Sequence, residues 1–126
     1  MKVMRDIQDK EDIKILVDTF YSTARKDETI GYIFNEVARV NWDEHLPRMY
    51  NFWESILFGV QSFEGNPMEK HIHLSRKTEM EKKQFDAWIE IWCSTTDRLF
   101  AGEKANEIKQ RARNIAALML YKIQTA

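Results

Sequence analysis

The chain has 126 residues, enough for one domain with its own core and too few for two. Its 19 basic and 20 acidic residues leave a formal net charge of −1, which argues against a basic nucleic-acid-binding surface. The one cysteine, Cys93, cannot form an internal disulfide, and neither an apolar signal core nor a run of roughly 20 apolar residues is present. We therefore expect a single cytoplasmic domain over residues 1–126, with no nucleic-acid or membrane partner.

Apolar residues recur at helical spacing, and proline and glycine are scarce, so the sequence predicts an all-α fold without strands. A first helix is predicted to follow Asp9 and to end near Lys26 and Asp27. A short turn should follow, containing Ile30, Gly31, Ile33 and Phe34. The buried stripe predicted for this helix is Ile13, Leu16, Val17, Phe20, Tyr21 and Ala24.

A second helix is predicted to start near Asp43. Pro47 should then lie at or near its first turn, because a proline deeper in a helix removes a hydrogen bond and clashes with the preceding turn, and Leu46 should avoid helical angles. The apolar face of this helix is predicted to carry Met49, Phe52, Trp53 and Ile56, with His45 on the same side. Glycines and a proline exclude a continuous helix over 59–78, so a loop is expected there, with at most a short helix around 69–72.

Two further helices are predicted, from about Glu79 to Phe100 and from about Glu103 to Ile123, with Gly102 as the stop signal between them. The inner face of the third helix is predicted to be Phe85, Trp88, Ile89, Trp92, Thr96, Leu99 and Phe100. That of the last is predicted to be Ile108, Ala112, Ile115, Ala116 and Met119. A regular bundle would place another helix at 59–78, so a group other than protein is expected to fill part of the core.

His71 is a candidate iron ligand, because a neutral imidazole nitrogen binds haem iron and a short loop leaves the ring free to approach it. Lys70 beside it is a candidate partner for a haem propionate. A surface histidine in a polar loop is the alternative, and His73 is a rival ligand that cannot face the same iron. A zinc site is a further alternative, but it lacks the usual ligand spacing.

Three other residues are candidate donors to a ligand on the opposite, distal side of an iron: Tyr21, His45 and Trp88. Phenol and indole rings can be buried while their polar tips still need a partner. Ordinary core packing explains Tyr21 and Trp88 equally well, and a helix-terminal surface position explains His45.

The chain resembles the group III truncated haemoglobins over about residues 6–124. The pieces that carry the resemblance are Phe20-Tyr21, Ile33-Phe34, His45-Leu46-Pro47-Arg48-Met49-Tyr50-Asn51-Phe52-Trp53, Gly65-Asn66-Pro67-Met68-Glu69-Lys70-His71, Phe85-x-x-Trp88, and Arg111-Ala112-Arg113-x-Ile115-Ala116. The chain also lacks the paired-glycine motifs of groups I and II.

The resemblance implies a two-over-two helical sandwich around a b-type haem (iron protoporphyrin IX). It makes His71 the proximal iron ligand, in preference to His73, and Tyr21, His45 and Trp88 the distal residues. It also implies that Phe34 packs on the haem plane and that Met49, Phe52 and Trp53 of the second helix line the porphyrin. Arg48 and Lys70 would be partners of the propionates.

Three functions are then open. The first is reversible binding of O2 and other diatomic ligands (NO and CO), with slow O2 release expected from the two donors Tyr21 and Trp88. The second is an enzyme, either a nitric oxide dioxygenase or one with peroxidase-like chemistry; it would need an external reductase because the chain has no flavin or nicotinamide domain. The third is a haem-free helical interaction module, in which His71→Ala would be close to silent.

Overall fold

The computed structural model describes residues 4–37, 41–61 and 80–125, apart from the side chains of residues 36 and 37. These ranges contain four α-helices and a short π-helical turn, and they contain no strand. The elements are α1 (Lys10–Ala24), the π turn (Ile33–Val37), α2 (Trp42–Phe58), α3 (Lys82–Leu99) and α4 (Glu103–Gln124). The predicted all-α class is confirmed.

Helix α1 begins where an aspartate can satisfy its free N–H groups. The Asp9 carboxylate accepts a hydrogen bond from the Asp12 backbone N–H at 3.1 Å. The six residues of the predicted stripe are all buried, so that prediction is confirmed. The helix ends at Ala24, two residues before the predicted end, and Phe34 then lies in the π turn rather than in a simple turn.

Helix α2 corrects the prediction for Pro47. Asn41 caps the helix by accepting from the Asp43 backbone N–H at 3.2 Å, so the helix starts at Trp42 and Pro47 lies in its second turn. Leu46 is therefore helical as well. Pro47 is exposed, so its ring displaces no core residue, but the helix loses one backbone hydrogen bond and must accommodate the ring against its preceding turn. Gly59, at a φ of 70°, ends the helix.

Helices α3 and α4 meet at a sharp corner. Glu81 and Gln84 form a capping box at the start of α3, two residues after the predicted start. Gly102, predicted only as a stop signal, is the N-cap of α4 at a φ of 145°. Of the predicted inner faces, Trp88, Ile89, Leu99 and Ile115 are half-buried and the others are buried.

The N-terminal segment is pinned across this corner. The Asp6 carboxylate accepts hydrogen bonds from the backbone N–H groups of Lys104 and Ala105, both at 2.8 Å. Burial alone would raise the pKa of Asp6, but the N–H groups of Lys104, Ala105 and Ile7 outweigh it and hold the pKa below its ordinary value. The charged carboxylate therefore stabilises the N-terminus of α4.

The helices pack as two crossed pairs. Helix α1 contacts α2 and α3, and α4 contacts α3 and α2. The largest fully buried side chains at the centre are Trp92, Phe20, Ile13, Leu16 and Ile108. No helix within the described ranges is long and apolar enough to cross a membrane.

Candidate functional site

A hydrogen bond joins α1 to the first turn of α2 inside the molecule. The Tyr21 hydroxyl and His45 Nε2 are 3.0 Å apart, and Tyr21 is 9% exposed. The phenol donates when Nε2 carries no proton and accepts when it does. The structure thus brings together two of the three predicted distal residues, although 24 positions separate them in the sequence.

Burial reinforces the neutral form of the Tyr21 phenol. It raises the pKa of Tyr21 well above its ordinary value, because the phenolate would lose its hydration. The hydroxyl therefore keeps its proton at neutral pH. It can donate a hydrogen bond either to His45 or to another acceptor beside the pair.

Aromatic rings wall in this pair. The Phe34 ring meets the Tyr21 ring edge-on at 5.6 Å, as expected of a residue packed close to the site. Trp42 packs edge-on against both Tyr21, at 5.0 Å, and His45, at 5.6 Å. The Arg25 guanidinium covers the Trp42 ring at 4.5 Å. The hydrogen-bonded pair therefore lies in an apolar enclosure that strengthens its electrostatics.

Trp88, the third predicted distal residue, lies in a neighbouring cluster. Its ring stacks on Trp53 at 6.5 Å and on Trp92 at 6.3 Å. Phe20 connects the two groups, since its ring contacts Tyr21 at 4.9 Å and Trp88 at 6.1 Å. The half-buried position of Trp88 leaves part of its surface available to a ligand.

The other predicted residues of α2 follow one face of that helix. Met49 and Phe52 are half-buried, Trp53 is 3% exposed, and Phe52 contacts Trp53 edge-on at 5.1 Å. Arg48 lies exposed beside them. Lys70, His71 and His73 lie outside the described residues, as does most of the predicted 59–78 loop. The α2 face presents large apolar surface that is incompletely covered.

Sequence reasoning missed Trp42 and the stacking of Trp92. Trp42 precedes His45 by three positions, a spacing that places both on one helix face. That signal was available, but the predicted helix started one residue too late to include it. Trp92 was expected on an inner face, whereas its stacking on Trp53 at 4.5 Å depends on how α2 and α3 cross.

An all-helical fold of paired helices, with a hydrogen-bonded tyrosine–histidine pair and an aromatic face beside it, is typical of a globin. No family model matches the chain. It is, however, 33% identical over 119 residues to the group 3 truncated hemoglobin ctb of Campylobacter jejuni, covering 90% of this chain and 91% of that protein. The crystal structure of a group III truncated hemoglobin from Campylobacter jejuni superposes with a TM-score of 0.82 at 27% identity, over 96% of this chain and 95% of that one.

The chain belongs to the group 3 truncated haemoglobin family. The predicted family and its two-over-two fold are thereby confirmed. Membership implies a haem cofactor and binding of small diatomic ligands. The buried phenol, the half-buried imidazole and the apolar face of α2 suit such a group, because they combine hydrogen-bonding atoms with surface for a flat apolar ring.

Proposed function

We propose that this chain holds a b-type haem (iron protoporphyrin IX) and reversibly binds O2, NO and CO, with slow release of O2. The observation that carries this proposal is the hydrogen bond between Tyr21 and His45, 3.0 Å long and enclosed by Phe34 and Trp42. When bound, the haem supplies an iron atom that accepts one diatomic ligand.

The residues that would hold the haem come from the family resemblance and from the α2 face. His71 would hold the iron, and Lys70 and Arg48 would pair with the propionates. The porphyrin would lie against Phe34, Met49, Phe52 and Trp53. The half-buried state of Met49 and Phe52 supports this assignment, because their uncovered apolar surface is available to such a ring.

Tyr21 would control how long a ligand stays. Its hydroxyl is protonated and can donate to an acceptor, and a diatomic ligand held beside it would offer one. In the structure described here that hydroxyl bonds to His45. Ligand binding would therefore redirect a hydrogen bond that already exists, and Trp88 would add a second donor from α3.

A second candidate function is enzymatic. The Tyr21–His45 contact joins a phenol to an imidazole, and an imidazole can take up and release a proton near neutral pH. Such a pair would serve nitric oxide dioxygenation or peroxidase-like chemistry. Turnover would require electrons from a separate reductase, because both reactions consume reducing equivalents that the haem must regain.

The deciding experiment is a haemin titration of the purified protein, followed by visible spectra of the oxidised, reduced and CO-treated forms. A strong Soret band that shifts with CO supports the proposal. His71→Ala should abolish normal haem retention, and His73→Ala, two residues away, is its matched control. Equal retention in both variants would refute His71 as the iron ligand, and no Soret band in the unmutated protein would leave the haem-free interaction module.

Turnover is tested on the same sample. The O2-loaded protein is mixed with NO, and the nitrate formed is measured. A cell extract is then added, and the visible spectrum shows how fast the reduced protein returns. Fast consumption of O2 with rapid re-reduction favours the enzyme. An O2-loaded form that persists in the extract favours ligand storage or sensing.

A further inference from the structure

Three tryptophans from two helices form one stack, defined here as the tryptophan stack: Trp53 on α2, and Trp88 and Trp92 on α3. Their ring planes are within 25° of parallel for every pair. The shortest separation joins Trp53 to Trp92, whose centroids are 4.5 Å apart. Offset parallel packing at this distance brings the π-systems of adjacent indoles into contact.

The stack extends from the core toward the proposed haem site. Trp92 is 1% exposed and Trp53 is 3% exposed, whereas Trp88 is half-buried. Phe20 seals it from the side, with its ring edge-on to Trp92 at 5.2 Å. Because the cluster is shielded from solvent, the loss of an electron from it needs little rearrangement of water. Trp53 and Trp88 are the members assigned to the proposed haem site.

The indole nitrogen of Trp92 has an unusual environment. Its Nε1 is buried and has no hydrogen-bond partner among the residues that the structure describes. Buried donors are nearly always paired, because an unpaired one costs free energy. An oxidised indole becomes a strong N–H acid and passes its proton to a bonded base when one is present. Trp92 has no such base within the described part of the chain, so its indole would keep its proton and an electron lost there could return without a proton transfer.

We infer that the tryptophan stack is an internal one-electron donor to the haem when hydrogen peroxide is the oxidant. This inference rests on the proposed haem binding. In the step itself the oxidised haem gains one electron, the stack loses one, and no bond forms or breaks. Over a full cycle one hydrogen peroxide takes two electrons and two protons and leaves as two water molecules. The stack passes on both electrons one at a time, an external one-electron reductant refills it after each, and the protons come from solvent.

The test uses the haem-loaded ferric protein. It is mixed with hydrogen peroxide in a rapid-freeze apparatus and frozen at the shortest reaction time that the apparatus allows. Electron paramagnetic resonance should show an organic radical whose hyperfine lines narrow when the protein contains indole-deuterated tryptophan. Trp92→Phe should lose this tryptophan signal and keep the CO-shifted Soret band, since Trp92 is not assigned to ligand binding. Tyr50→Phe is the matched control, because it removes an oxidisable phenol that lies outside both the stack and the proposed haem site, and it should retain the signal.

The failures are distinguishable. A normal Soret band with CO but no deuterium-sensitive radical overturns the tryptophan stack as donor and leaves the proposed haem function intact. A tryptophan signal that persists undiminished in Trp92→Phe also overturns it. A protein that takes up no haemin overturns both proposals. The deuterium test on the unmutated protein needs no variant to fold.

Discussion

The Tyr21 hydroxyl and His45 Nε2 lie 3.0 Å apart, with the Trp42 ring packed against both residues. The phenol comes from the last turns of α1 and the imidazole from the first turn of α2. A proton donor inside the molecule is thus held in place before any ligand arrives. Removal of the Tyr21 hydroxyl oxygen alone therefore tests the role of this hydrogen bond.

Tyr21→Phe removes the donor and keeps the ring. We expect O2 release to become roughly 10- to 100-fold faster, because a hydrogen bond to a charged acceptor is worth about 1.5–3 kcal/mol and each factor of ten corresponds to about 1.4 kcal/mol. Displacement of O2 by CO in a stopped-flow instrument measures the rate. Tyr50→Phe is the control, since Tyr50 donates to Asp18 on the outer side of the α1–α2 contact. An unchanged rate in Tyr21→Phe would make Trp88 or His45 the dominant donor.

The tyrosine–histidine bond should also be measurable in the haem-free protein. A double-mutant cycle of Tyr21→Phe and His45→Leu should give a coupling of about 1 kcal/mol in the free energy of unfolding, the usual net value of one hydrogen bond. His45→Leu should lower the free energy of unfolding more in the unmutated protein than in the Tyr21→Phe variant. In the unmutated protein it leaves the buried Tyr21 hydroxyl without this partner. Urea unfolding of the four proteins measures the coupling, and additive effects would mean that the bond contributes no stability.

Asp6 should make the stability of the fold sensitive to acid. Its pKa is lowered in the folded chain, so its stabilising effect is present above the ordinary value of 3.8 and is lost as the pH falls through the lowered value. Asp6→Asn should cost about 1 kcal/mol at neutral pH, the typical loss at a helix N-terminus, because one amide oxygen replaces two charged acceptors. Urea unfolding over an acid pH series should then show a shallower decline for Asp6→Asn. Parallel declines would contradict the assignment.

Two glycines with positive φ offer a matched comparison. A Cβ on Gly102 would lie 2.5 Å from Asp6 Cγ, whereas a Cβ on Gly59 would meet nothing within 4 Å. Gly59→Ala should cost about 1–2 kcal/mol, for its left-handed backbone alone. Gly102→Ala should cost about 3 kcal/mol or more, since a strained backbone and a displaced carboxylate add together. Thermal unfolding ranks the two, and equal losses would mean that Asp6 moves aside freely.

Helix positions and their buried faces were predictable from the sequence. The stripe from Ile13 to Ala24 follows the helical repeat of apolar residues, and Asp9 and Gly59 are residue types that satisfy helix ends or turn the chain. These signals are local, so a single sequence is enough to read them. Pro47 shows the limit, because its exposed position in α2 could not be known before the packing of that helix.

Only the tertiary structure decided which residues of different helices contact each other. The sequence determined an all-helical chain, its apolar faces and the motifs that resemble group III truncated haemoglobins. The crossing of α1 and α2 decided that Tyr21 bonds to His45 and that Trp42 closes over them. The crossing of α2 and α3 decided that Trp53 stacks on Trp92. Helical periodicity says which face of a helix is buried, but partners across an interface depend on crossing angles and side-chain packing, which no local pattern encodes.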